Sequence, residues 1–309
     1  MYSSNNKLFL LSVLGALGSV SSARDVPANV RDFYNSVAAK GDCSNKLATG
    51  FFSKDNGPGT FSYCGDHLKD ASRVVYIKGT GRNFANMDID CDGEQGGPAD
   101  DGRCHNSDDT QSVTSFADTV ASYGKKVKDL NANVHPYVVF GNEGSKPGWK
   151  MFDPQSVGIE PLSVMAVVCG DKLFYGVWGD ENGDDGDKPV VGEASISLAT
   201  ACFGKDSISG DNGHDEDDVL YIAFPGADAV PGANGANWDA RNFDEFESSI
   251  SKLGDSLVAR IGRAAVAGEN ETAPVVRTTR SVRRSIGRAA YNSTMPSNST
   301  LPYNSTYPC

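Results

Sequence analysis

Asp180 and Glu193 are the residues of this sequence whose types and surroundings best suit acid–base chemistry. They lie in YGVWGDENGDDGDKPVVGEAS, residues 175–195, a stretch with six acidic residues that begins and ends apolar. Hydrolysis with an oxygen leaving group needs two carboxyls of unlike pKa. One stays protonated and gives its proton to the leaving oxygen; the other is ionised and activates water. Glu193 lies between Gly192 and Ala194, beside Val190 and Val191, and apolar surroundings raise a carboxyl's pKa by desolvation. That suits the acid. Asp180 follows the apolar run Leu173 to Trp178 and opens a Gly- and Asp-rich loop, a polar setting that keeps it charged and suits the base. The competing reading is a surface turn followed by a short helix whose N-terminal Glu is stabilised by the helix dipole.

Two more acidic clusters stand elsewhere. MDIDCDGEQ places Asp88, Asp90 and Asp92 at alternate positions before Gly93. This matches the front half of a calcium loop, but the twelfth position, where a bidentate Glu is needed, is Ala99. Extended, the three carboxylates would share one face of a strand and line a cleft; a solvated turn is the third reading. DNGHDEDD, 211–218, reads as a solvated loop leading into a strand over 219–224. His67, His105, His135 and His214 show no ligand spacing, so zinc is poorly supported. Ser195 is not in a G-x-S-x-G elbow. No metal and no organic cofactor is expected.

The elements that must position these groups are partly readable. Apolar periodicity predicts helices over ANVRDFYNSVAAK (28–40), VTSFADTVASYGKKVKDL (113–130) and NFDEFESSISKLGDSLVARIG (242–262). Asn242 and Glu245 offer a capping box for the last. Another short helix is expected from Glu193 through Phe203. The runs RVVYIK, VHPYVVFG, SVMAVVCG, KLFYGVWG, KPVVG and DVLYIAFPG, bounded by turn residues, read as strands. They do not alternate regularly with helices, which argues against a doubly wound parallel sheet. The expected fold is mostly β, a small barrel or closed sheet, with peripheral α-helices. Of the fifteen pairings open to six cysteines, the simplest joins neighbours: Cys43–Cys64, Cys91–Cys104 and Cys169–Cys202. Cys309 is left over.

With FYGVWGDENGDDG, VGEAS, MDIDCDG and DVLYIAFPG together, the chain resembles the secreted fungal chitosanases of glycoside hydrolase family 75 over about residues 24–262. The resemblance implies endo-acting cleavage of β-1,4-linked glucosamine polymers with inversion, through an Asp and a Glu that fall on Asp180 and Glu193. It implies chitosan as the partner. Asp88 and Asp90 are the first candidates to pair with the 2-amino groups, and Asn182, inside the same motif, is assigned a substrate contact. Tyr175 and Trp178 are candidates to stack on sugar faces; their opposite strand parities allow at most one to face the groove.

Charge fits that expectation. Residues 24–262 carry 38 Asp and Glu against 21 Lys and Arg, a net of −17. Such a body repels nucleic acid and anionic membrane and attracts polycations. Residues 1–23, with Lys7 and an apolar run too short to span a bilayer, read as a secretory signal, and the cysteines suit an oxidising compartment. A monomeric extracellular protein is expected. Residues 263–309 form a low-complexity tail with an Arg cluster and glycosylation triplets at Asn270, Asn292, Asn298 and Asn304. The alternatives are a non-catalytic calcium- or polycation-binding cell-wall protein, or a hydrolase of a related polysaccharide such as chitin.

Overall fold

The computed structural model describes residues 24–263 apart from 55, 108 and 109. The expected signal segment, the four glycosylation triplets, the Arg cluster and Cys309 lie outside the described residues.

The chain runs β1 (Arg24–Asp25), α1 (Ala28–Lys40), β2 (Lys46–Phe51), β3 (Phe61–His67), β4 (Val74–Lys78) and β5 (Ala85–Asp90). Then come α2 (Ala117–Ser122), β6 (Tyr137–Asn142), β7 (Val164–Cys169), β8 (Lys172–Asn182), β9 (Glu193–Ser195) and α3 (Ile196–Phe203). It finishes with β10 (His214–Ala223), the single turn α4 (Gly232–Gly235) and α5 (Phe243–Val258). Neighbouring strands follow the order β8, β6, β9, β5, β10, β7, and β7 returns to β8. Six strands therefore close on themselves. From β10 the sheet continues outward through β4, β3 and β2, while β1 adds to the start of β8. The pairs β5–β9 and β6–β8 are parallel; the other described pairs are antiparallel. The closed-sheet expectation holds.

The ring explains which strands were readable. β6 and β7 are buried at every position, and a strand covered on both faces reads as a continuous apolar run. α5 packs on β7 and β8 through Phe246, Ile250, Leu257 and Val258. Burial of each such side chain stabilises by about 1.5–3 kcal/mol. The Asn242 side chain caps α5 by accepting the Glu245 N–H at 3.0 Å, while the Glu245 carboxylate accepts the Arg241 N–H at 2.9 Å. Glu247 is wholly buried under the sheet, and its carboxylate is met by the guanidinium of Arg24, which also lies 4.4 Å over the Tyr175 ring. All three expected disulfides are present.

Several expectations need correction. The helix over 113–130 shrinks to α2, because Gly124 adopts φ +68° and Asp129 turns back to bind Thr114. Glu193 is not in a helical first turn: it opens β9, and Ser195 caps α3 by accepting the Leu198 N–H. β10 begins at His214, so most of the expected loop 211–218 is strand. KPVVG makes only an isolated bridge, Val190 to Phe52. Of the three readings of MDIDCDGEQ, the extended one holds for Asp88 and Asp90, which lie on β5.

Candidate active site

The sheet register brings the acidic residues together. Val139 of β6 is paired with Asp180 of β8 on one side and with Glu193 of β9 on the other; Glu193 is paired in turn with Asp88 of β5. One row across four strands thus carries three carboxylates around Val139. Two inter-strand spacings put the Asp180 and Glu193 backbones about 9.5 Å apart.

A bulge in β8 makes this possible. Val138 stands beside Trp178 and Val139 beside Asp180, so Gly179 is an extra residue. A regular strand would turn residues 178 and 180 to the same face; the bulge re-aims Asp180 onto the face of Val139 and leaves Trp178 on the other. Glycine is needed there, since a Cβ at 179 would stand 2.5 Å from the Tyr137 Cβ. On the far side, Gly192 precedes Glu193 at φ +94°, where a Cβ would stand 2.5 Å from the Asn86 Oδ1.

The two carboxyls have different surroundings. Asp180 is buried, and its Oδ1 accepts the Ser115 N–H at 2.9 Å, the Ser115 hydroxyl and the Glu181 N–H at 2.8 Å. Burial pushes its pKa up to about 6 while these donors pull it down. Burial first, and then the charges of Asp88, Asp180 and Asp92, push Glu193 up to about 8, opposed by a hydrogen bond from Asn182. Asp90 is driven well above the usual carboxylate range, by burial first and then by Asp180, Glu193 and Asp92. Its Oδ1 accepts the Tyr137 hydroxyl at 2.8 Å and the Asp92 N–H at 2.6 Å. Next to Asp180, burial lifts Glu181 to about 7, but its Oε1 lies over Gly141, a residue outside the carboxylate row.

These side chains line a groove of about 1,100 Å³. Ten carboxylates face it, among them Asp88, Asp90, Asp92, Asp185, Asp187 and Asp215, against Lys54 and Lys188. The loop after β8 is held by Asp184, whose carboxylate accepts the Ser145 and Lys146 N–H groups. The Cys91–Cys104 disulfide braces the segment after Asp90. Oxygens of Asp90, Asp92 and Asp180 lie within 4.8 Å of one another. Each of these carboxylates also accepts protein donors.

Residues 87–260 match the family described as fungal chitosanase of glycosyl hydrolase group 75. The chain belongs to this family. It is 45% identical to endo-chitosanase B of Aspergillus oryzae over 245 residues, 79% of this chain and 95% of that one. It is 46% identical to an endo-chitosanase of Aspergillus fumigatus over 245 residues, 79% and 94% of the two chains.

In this chitosanase-family chain the structure unites Asp180, Glu193, Asp88, Asp90 and Asn182 along one groove. Tyr175 and Trp178 do not belong to it. Tyr175 is buried under α5, its ring against Gly254 and its hydroxyl donating to Asp255 at 2.9 Å. Trp178 packs edge-on to Phe116, and its Nε1 donates to the Asp180 carbonyl at 3.0 Å. Their shared fate has a simple cause: both faces of β8 are covered there, so neither parity reaches solvent. Sequence reading missed Ser115 and Tyr137. Ser115 and Asp180 are 65 positions apart, and the segment between them carries no signal that the two meet.

Proposed function

We propose that the chain hydrolyses chitosan internally, with Glu193 as general acid and Asp180 as general base in a single inverting displacement. The observation that carries this is the row Asp180–Val139–Glu193, which sets two carboxyls with unlike surroundings on one face of one groove. An inverting pair needs roughly 6.5–9.5 Å between its carboxyls to leave room for a water, and two strands two spacings apart, about 9.5 Å, are compatible with that. Glu193 keeps its proton at neutral pH because burial and neighbouring anions disfavour its charge. Asp180 loses its proton earlier because three donors stabilise its anion. Glu193 protonates the glycosidic oxygen as the bond breaks; Asp180 takes a proton from the water attacking the anomeric carbon from the opposite face. Membership of the chitosanase family supports the substrate, and the groove's excess of carboxylates supports recognition of protonated 2-amino groups. The protein acts outside the cell, a reading supported by three disulfides. Among the described residues no helix is long and apolar enough to cross a membrane.

Glu193→Gln and Asp180→Asn should each lower chitosan cleavage at least about 10³-fold with unchanged far-UV circular dichroism. Proton NMR of early products should show the α-anomer released from a β-linked chain. Wild-type rates in either variant, or β-anomer as the first product, would overturn the assignment.

A further inference from the structure

Asp180 is reached from the segment that leads into α2. Thr114, Ser115 and Phe116 precede α2, and each is fixed differently. The Thr114 N–H and hydroxyl both bind the Asp129 carboxylate, which also accepts the Leu130 N–H at 2.7 Å. Phe116 packs edge-on against Trp178, ring centroids 4.8 Å apart. Ser115 between them is exposed, yet its N–H and hydroxyl both turn inward onto Oδ1 of the buried Asp180. The Glu181 N–H makes a third bond to the same oxygen. Among the described residues no hydrogen bond to Oδ2 is seen beside these three.

We propose that Ser115 is a positioning residue: it fixes Oδ1 of Asp180 and so commits Oδ2 to take the proton of the attacking water. This rests on Asp180 being the base. A carboxylate free to rotate would offer either oxygen in any direction; one pinned at Oδ1 offers a single lone-pair direction from Oδ2, and a well-aimed base is what a water-activating step needs. The same contact selects charge. Asp90 and Asp92 approach Asp180 from β5 and its following loop, Glu193 from β9, Asp129 from the segment behind Thr114, and Glu181 is its chain neighbour. All are acidic and disfavour a second anion. The Tyr137 hydroxyl on β6 is engaged by Asp90. The donors at Ser115 and Glu181 are thus what opposes that field.

Ser115→Ala removes the hydroxyl and keeps both N–H donors. The acidic limb of kcat/KM against pH should move up by about one pH unit, because a lost bond to the charged form raises its pKa. kcat at pH 5 should fall roughly 10–100-fold, KM should stay within about two-fold, and Ser115→Thr, which keeps the hydroxyl, should restore the limb. Ser115→Cys, a weak donor of similar size, should fall between, and it replaces the alanine variant if thermal melting shows that one unfolded. An unmoved limb in Ser115→Ala, a Thr variant displaced as far as the Ala variant, or a raised KM at constant kcat would each overturn the role. Activity surviving in Asp180→Asn would instead sink the choice of base, so the two failures are distinguishable.

Discussion

Two acids two positions apart on one strand face different fates. Asp90 is nearly inaccessible, hydrogen-bonded by Tyr137 and the Asp92 main chain, and held well above the usual carboxylate range by burial. Asp88 is half-buried in the row with Glu193, and among its charged neighbours it contributes most, after burial, to raising Glu193. An amide mimics a neutral carboxylic acid, so Asp90→Asn should keep kcat within about five-fold, whereas a carboxylate needed as an anion would not tolerate it. Asp88→Asn should pull the basic limb of kcat/KM to lower pH, since removing a neighbouring anion lets Glu193 ionise earlier. pH–rate profiles of both variants check this; an unmoved basic limb in Asp88→Asn refutes it. The sequence reading paired both acids with substrate amines, because alternation places them on one face. It could not show depth, which comes from Tyr137, 47 residues away.

At the scale of elements, glycines set the angles of the site. Gly192→Ala forces a side chain into the left-handed region and onto the Asn86 Oδ1, at a cost of about 1–3 kcal/mol. We expect Tm to fall by a few degrees and kcat to fall further than misfolding explains, because Glu193 is the next residue; calorimetry beside active-fraction titration separates the two. A variant with wild-type Tm and kcat would show that the bend is not needed. The long apolar strands, α1, α5 and all three disulfides were legible, since periodicity, caps and neighbouring cysteines are local signals. The bulge at Gly179 was not. It exists because β6 lies against β8 in one register before the extra residue and another after it, a fact of pairing rather than of composition. β2 and β3 escaped for a related reason: KLATGF is mostly half-exposed and FSYCGDH is broken by Gly and Asp.

For the whole molecule, a row of buried acids is a source of instability that varies with pH. Glu181 and Glu193 are raised to about 7 and about 8 by burial, against about 4.3 in an unfolded chain. The native state therefore holds more protons than the unfolded one in this range, and stability falls as pH rises through the folded pKa values. His135, lowered to about 4 by burial, opposes this only below about 6.5, where an unfolded histidine gains its proton, and Lys78, lowered to about 8 by burial, opposes it only above that pH. Between pH 6.5 and 8, Tm should decline, and Glu193→Gln should flatten the decline and melt higher than wild type at pH 8. A wild-type Tm that climbs across that interval would contradict the account.

Asp180 and Glu193, the proposed base and acid, each lie one strand from Val139, so on that proposal the peptide hydrogen bond acts as the ruler for the reaction. Rim loops carry Asp185, Asp187 and Asp211 and can be rewritten without touching that ruler. Loop exchange should accordingly yield enzymes with new polymer preferences that all release the same anomer, with stereochemistry inherited from the sheet and appetite from its margins.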